Sequence, residues 1–242
     1  MRRRIRLLVG LYALLQSVNR KFIWVAVCLG FCLPLLLQAV LGTWIEPSER
    51  AGLMLANLII AVAMLSFRKA GIVLTADRLF GVRDLLATAG VTRNDYLLAY
   101  LLDAVTLSAI PIGAALVAAA TMKVAPPTSW AWLVPYTVSA IMLFAAGVLI
   151  SACVRSIPPA VLAVDLGLMG SLALCPIAYP PDRVPLLIRP LISLSPPTLA
   201  AKAIGASWNG GQVFGTSMLL LCSWTMLLAF AAWQSFPWTN DI

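Results

Sequence analysis

The sequence predicts an all-α integral membrane protein with six transmembrane helices, and three observations favour this fold class. Of the 242 residues, 62% are hydrophobic and only 11% are charged, whereas soluble domains contain about 25% charged residues. Long stretches without Asp, Glu, Lys or Arg recur along the chain, and a helix needs about 20 apolar residues to cross a bilayer. These stretches are too long and too uniformly apolar for the alternating strands of a membrane β-barrel.

The expected elements form a single transmembrane domain that covers residues 1–242. Leucines at helical spacing opposite polar side chains predict an amphipathic helix at 5–21 that lies on the membrane surface. The six spans are expected at about 22–44, 51–70, 96–122, 130–154, 157–179 and 212–234. Pro111 is expected to interrupt the third span, and the prolines within 180–211 exclude a clean span there.

Local signals support the ends of the spans. A short acidic loop at 46–50 separates the first two spans, and Pro158 and Pro159 suit the first turn of the fifth. Arg68 and Lys69 are expected to snorkel at the end of the second span. Seven of the eight tryptophans fall near expected span ends, which is typical of an aromatic belt at the two membrane surfaces.

The distribution of positive charge predicts the orientation of the spans. Of the 17 Lys and Arg residues, 12 lie on the side of the termini, at 1–21, 68–95 and Arg155. Because cytoplasmic loops carry an excess of Lys and Arg, both termini are expected in the cytoplasm. The basic residues flank apolar spans, so the net charge of +8 indicates contact with membrane lipid and not with a nucleic acid.

Composition also excludes several kinds of site. The chain has no histidine, and its five cysteines lie in apolar runs without a C-x-x-C pair, so we expect no catalytic residue and no metal ligand. It has no G-x-x-x-x-G-K-[ST] run and no soluble segment long enough for a nucleotide-binding domain. The chain is therefore not expected to be an enzyme, and any ATP hydrolysis would come from a separate subunit.

The segment 76–93 is the long polar stretch between two spans, and its pattern predicts an amphipathic helix. Leu79, Phe80 and Leu85 are among its apolar residues, which alternate with charged ones at helical spacing. A short helix held between two spans on the cytoplasmic side can dock into a groove of a soluble partner. An ordinary solvated loop helix is the alternative interpretation of the same pattern.

This segment resembles the coupling helix of ABC-2-type permeases, the transmembrane subunits of bacterial ABC exporters. Those permeases carry a stretch like E-R-E-x-G-T-x-E-x-L-x-x-T-P-x-S-R that runs directly into the next span. The residues of this chain that we assign to the coupling stretch are Asp77, Gly81, Arg83, Asp84, Leu85, Thr88 and Arg93. The chain differs by having Asp at both acidic positions, Val82 after the glycine, and Ala89-Gly90 in place of the proline.

The region 180–211 adds to the resemblance. In these permeases an external re-entrant hairpin follows the fifth span, with a pattern like P-x-W-L-x-x-I-x-x-x-N-P-L-T-Y. The fitting residues here are Leu191, Ile192, Pro196, Thr198 and Leu199. Ser195 stands where the family usually has Asn, and a plain proline-rich external loop is the alternative. The order of surface helix, spans, coupling helix and hairpin extends the resemblance over nearly the whole chain.

The resemblance implies the transmembrane subunit of an ATP-driven exporter in the bacterial plasma (inner) membrane. Its partners would be an ATP-binding cassette ATPase, which would hold ATP and Mg, and a second permease, either a copy or a paralogue. Uniformly apolar spans suit a hydrophobic or amphipathic substrate, such as a drug, a peptide, a lipid or a lipid-linked molecule. A non-catalytic membrane scaffold or assembly factor and a secondary transporter are the alternative functions.

Polar residues within the spans are the candidates for the translocation path. Asp103 and Asp165 are the only carboxylates within the expected spans, and a charge at the bilayer centre costs about 2.5 kcal/mol or more. The alternative roles are pairing or snorkelling near the headgroups for Asp103, and a structural pair or a protonated acid for Asp165. Asn57 in the second span is a third candidate, with an interhelical hydrogen bond as its alternative role.

Overall fold

The computed structural model describes residues 50–121, 123–173, 186–187 and 189–238, together with the isolated positions 10, 32, 36 and 40. Over these residues every regular element is a helix, which confirms the all-α prediction. The surface helix expected at 5–21 and the first span expected at 22–44 lie outside the continuously described ranges.

The described helices are numbered here in chain order. They are α1 (Arg50–Leu79), α2 (Val82–Thr88), α3 (Arg93–Thr121), α4 (Trp130–Cys153), α5 (Ile157–Ala173), α6 (Arg189–Leu194), α7 (Pro196–Trp208) and α8 (Thr216–Ser235). Four of them, α1, α3, α4 and α8, are long and apolar enough to cross a membrane. They coincide with the second, third, fourth and sixth expected spans, and α5 covers the first part of the fifth.

The sequence predicts one helix over the polar segment 76–93, but the structure divides this segment between two helices. The second span was expected to end near residue 70, but α1 continues to Leu79, and only Val82–Thr88 form a separate short helix. Gly81, at φ +70°, makes the turn that ends α1. The expected boundary was placed where charged residues begin, but a charge that is paired inside the protein does not end a helix.

Both helices that flank this segment are irregular at the same level of the bundle. Residues Ala63–Arg68 of α1 form a π-helix, and α3 is broken at Ser108. The break lies three residues before Pro111, because a proline ring clashes with the preceding turn, and it matches the interruption expected there. Leu65 packs against Leu107, so the two irregular points lie side by side.

Helix α4 lies at the centre and packs against α1, α3, α5, α7 and α8. Its backbone approaches α1 closely at Gly147, where an added Cβ would lie 2.5 Å from the carbonyl oxygen of Phe67 and 2.7 Å from the Cβ of Ala70. Glycine is therefore needed at this crossing. Because of this close contact, α1 and α4 form the central helix pair of the bundle, and α1 carries several of its charged residues.

The opposite end of the bundle is closed by α7, the second of two short helices, α6 and α7, within the region expected to form a hairpin. Trp208 of α7 packs against Trp132 of α4 with ring centroids 5.0 Å apart, and its indole N–H donates to the carbonyl oxygen of Ala125 at 2.9 Å. Both rings are buried. The prediction of an aromatic belt at the membrane surfaces is therefore wrong for these two tryptophans, which are buried in the interior of the protein.

Candidate functional site

The end of α1, all of α2 and the start of α3 form a charged hairpin, residues 74–100, and its outermost part exposes large apolar side chains. Phe80 is 76% exposed and Leu85 is 70% exposed, with Leu79 exposed beside them. Asp84 and Thr88 are exposed on the same short helix α2. The tip of the hairpin, residues 79–88, therefore presents an apolar surface next to a carboxylate.

Asp77 does not belong to this exposed surface. Its carboxylate accepts hydrogen bonds from the hydroxyl groups of Tyr96 at 2.7 Å and Tyr100 at 2.5 Å. These tyrosines lie one turn apart on α3, so both hydroxyls reach one carboxylate on α1. Asp77 consequently ties the two long helices together just behind the tip.

Arg83 is also turned inward, although it lies on the short helix of the tip. It is only 3% exposed and donates to the carbonyl oxygens of Leu74 at 2.6 Å and Pro237 at 3.2 Å. Burial lowers the pKa of its guanidinium below the ordinary value, yet an arginine remains charged at neutral pH. Arg83 therefore anchors α2 to α1 and to the segment that follows α8.

Other contacts fix the base of the hairpin. The Arg93 guanidinium lies 4.5 Å from the ring centroid of Trp233 on α8, and Arg78 donates to the carbonyl oxygen of Val154 in the turn after α4. Thr92 and Asp95 form a capping box that starts α3. The hairpin is thus attached to α8 and to the turn after α4 and is not a loose loop.

The residues expected to contact a partner hence fall into two groups. Asp84, Leu85 and Thr88 lie on the exposed tip with Gly81 at its turn, whereas Asp77, Arg83 and Arg93 hold the tip from within. Phe80 and Leu79 are exposed there too, and we had treated them as part of an amphipathic face and not as site residues. Their position next to Gly81 is the signal that could have identified them, because a glycine turn projects its neighbours.

Charged residues also meet inside the candidate spans. The Lys69 ammonium on α1 forms an ion pair with the Asp103 carboxylate on α3, and the two side chains are only 2% and 1% exposed. Lys69 lies ten residues before the end of α1 and Asp103 ten residues after the start of α3, about 15 Å from the tip at 1.5 Å per residue. The expectation that Lys69 snorkels is therefore wrong, and Asp103 has a buried partner.

A second ion pair lies beside the first. The Arg68 Nε is 3.5 Å from the Asp165 Oδ1 on α5, with side chains 38% and 46% exposed. Arg68 and Lys69 are consecutive, so both pairs lie at one level of the bundle, at the end of the π-helix. The candidates Asp103 and Asp165 are thereby brought to the same layer, one buried and one half-exposed.

Asn57 is not part of this layer. It is buried on α1, about 16 Å from Arg68 along the helix, and its Nδ2 has no hydrogen-bond partner among the described residues. Within the same residues no three His, Cys, Asp or Glu side chains are grouped to hold a metal ion. Charge pairs and the exposed apolar tip are therefore the features from which a function can be argued.

A comparison with protein-family models finds no match, and a search of curated proteins finds no relative.

Proposed function

We propose that this chain is the transmembrane subunit of an ATP-driven exporter, similar to ABC-2-type permeases, in the bacterial inner membrane with both termini cytoplasmic. The single observation that carries the proposal is the tip, where exposed Phe80 and Leu85 lie beside Asp84 on a hairpin attached to α8 and to the turn after α4. ATP and Mg belong to a separate ATP-binding cassette subunit, and a second permease, a copy or a paralogue, completes the transporter.

The exposed tip supports docking because its apolar side chains gain free energy when a partner covers them. Removing a Phe or Leu side chain from water contributes about 1.5–3 kcal/mol, and short amphipathic helices dock into apolar grooves in this manner. Asp84 at the rim of such a contact adds selectivity for a basic partner surface. A solvated loop helix gains nothing from exposing Phe80.

The inner contacts support transmission of movement from the partner to the spans. Asp77 joins α1 to α3 through two tyrosine hydroxyls, and Arg78 joins α1 to the turn after α4. A push on the tip therefore displaces several spans together. The movement would reach the layer of ion pairs at the end of the π-helix, where short irregular helix segments often mark functional sites.

The layer of ion pairs is the proposed wall of the translocation path. Asp165 and Arg68 are half-exposed, Asp165 is the one charged residue of α5, and ionised groups within spans generally face a protein interior or a cavity. The transported molecule is hydrophobic or amphipathic, since α5 is otherwise apolar. Drugs, peptides, lipids and lipid-linked molecules all fit that description.

The test is a gentle-detergent pull-down of the tagged chain, followed by an ATPase assay on the eluate. We expect a P-loop ATPase to co-elute and its amount to fall at least roughly tenfold when Phe80 and Leu85 are both changed to serine. Phe214→Ser is the matched control, because Phe214 is 73% exposed but lies before α8, at the opposite end of the bundle. A wild-type chain that elutes without ATPase would overturn the proposal and favour a scaffold or a secondary transporter.

A further inference from the structure

The chain after α8 does not leave the bundle but folds against the charged hairpin. Phe236 follows the last residue of α8 and is only 2% exposed. Its ring centroid lies 6.1 Å from that of Tyr96, and the ring of Trp238 lies 5.3 Å from the same tyrosine. Residues 233–238, here called the C-terminal clamp, thus contact α3 next to the tyrosines that hold Asp77.

Two guanidinium groups of the hairpin lie on aromatic rings of the C-terminal clamp. The Arg83 Cζ is 4.1 Å from the ring centroid of Phe236, and the Arg93 Cζ is 4.5 Å from that of Trp233 and 5.7 Å from that of Phe236. Arg83 additionally donates to the carbonyl oxygen of Pro237. One ring, that of Phe236, therefore lies near a guanidinium of α2 and a guanidinium of the first residue of α3.

The contacts require arginine and an aromatic ring at these positions. A guanidinium is planar, stacks on ring faces and keeps donors free at its edge, which a lysine ammonium does not reproduce. Arg83 uses this geometry, because it lies over Phe236 while its two terminal nitrogens donate to Leu74 and Pro237. Cation–π attraction is stronger when the groups are shielded from water, as Arg83 and Phe236 are.

We propose that the C-terminal clamp sets the orientation of the charged hairpin relative to α8, with Arg83, Arg93 and Phe236 as positioning residues. Phe80 and Leu85 of the tip are 76% and 70% exposed although the clamp is in place, so they remain able to bind a partner when the clamp is broken. The consequence for transport rests on the proposed function. Loss of the clamp leaves the ATPase bound while fewer molecules are transported per ATP hydrolysed, because the tip then moves without displacing α8.

The clamp is tested on the full-length chain in detergent by hydrogen–deuterium exchange, without any ATPase. In Phe236→Leu, which keeps an apolar side chain but removes the ring, we expect exchange of the amides in α2 to rise roughly tenfold. Exchange within α4 should stay at the wild-type rate. The matched control is Phe230→Leu on α8, where the ring is exposed, and it should leave α2 unchanged.

Two results would overturn the clamp. One is the same α2 exchange in Phe236→Leu as in Phe230→Leu, and the other is an equal rise in α2 and α4, which would indicate general loosening. Phe236→Tyr keeps the ring face and should restore slow exchange, so a failure to do so also counts against the clamp. If Phe236→Leu does not accumulate, Arg83→Lys replaces it in the same comparison.

The coupling consequence is measured separately on the complex with the ATPase. Phe236→Leu should retain the co-eluting ATPase at the wild-type amount while transport per ATP falls severalfold. Equal transport per ATP at full ATPase binding would overturn the coupling role. If no ATPase co-elutes with the wild-type chain, the proposed function fails, yet the exchange experiment still decides whether the clamp positions the hairpin.

Discussion

Breaking the buried ion pair between Lys69 and Asp103 should be strongly destabilising, and removing both charges together should not. Asp103→Leu removes the carboxylate that the Lys69 ammonium contacts, although the ammonium is only 2% exposed. Removing one member of a buried pair costs about 3–5 kcal/mol. For chains of 150–250 residues this corresponds to a fall of roughly 6–20 °C in Tm.

The double variant Lys69→Met with Asp103→Leu tests the reasoning behind that number. Replacing a buried ion pair by apolar side chains of similar volume is often neutral or stabilising, so the double variant should recover most of the lost stability. The assay is thermal unfolding in detergent, followed by the fraction that remains monodisperse on gel filtration. A double variant as unstable as Asp103→Leu alone would refute the assignment of the loss to an unpaired buried charge.

The neighbouring pair provides an internal control. Asp165→Leu removes the carboxylate from Arg68, but the side chains of that pair are 38% and 46% exposed. Solvent reduces the contribution of such a pair to below about 1 kcal/mol, so Asp165→Leu should shift Tm by much less than Asp103→Leu. Equal shifts for the two variants would mean that burial does not determine the cost.

Three further predictions concern single positions. Asp165→Ala should lower transport at an unchanged level in the membrane, because it removes the half-exposed carboxylate of the proposed path; unchanged transport would remove Asp165 from that path. Gly147→Ala should cost about 1–3 kcal/mol in thermal unfolding by overpacking, since a Cβ there meets the carbonyl of Phe67. The control Gly170→Ala, where the added Cβ enters open space, should be neutral. Equal effects of the two variants would contradict the close approach of α1 and α4. Gly81→Ala should lower the free energy of unfolding by about 1–2 kcal/mol because of the positive φ at this position, and it should reduce recovery of the ATPase in the pull-down. Gly81→Asn should be tolerated better. Equal recovery of the ATPase with both variants would show that the turn does not matter.

The sequence predicted the helices more accurately than it predicted what their charges do. The third, fourth and sixth spans were expected within about four residues of where α3, α4 and α8 begin and end. The end of α1 was missed by nine residues, because the run of charged residues after Phe67 was taken as the end of the membrane segment. In the structure the Lys69 ammonium is paired with the Asp103 carboxylate inside the protein, so α1 continues past Lys69 to Leu79.

The same limit applies to the candidate site. The position of the polar segment between two spans was evident from the order of residues, but the turn at Gly81 was not, because 76–93 was predicted to form one helix. It was also not evident that Arg83 points inward while Phe80 points outward. Helical periodicity predicts which residues share a face, but it does not predict which face packs against the rest of the protein. The C-terminal clamp was missed for a related reason: Trp233 and Trp238 were assigned to the membrane surface, and Phe236 carried no signal by itself.

The sequence by itself determined that the described part of the chain is helical and that several helices are long and apolar enough to cross a membrane, because the free energy of transferring a residue into lipid is local and adds along a run. Only the tertiary structure decided which charges are paired, buried or exposed. Lys69 and Asp103 are 34 residues apart in the chain, and Arg83 and Pro237 are 154 apart. The free energy of such contacts depends on distance and burial, and both are set by how the helices pack.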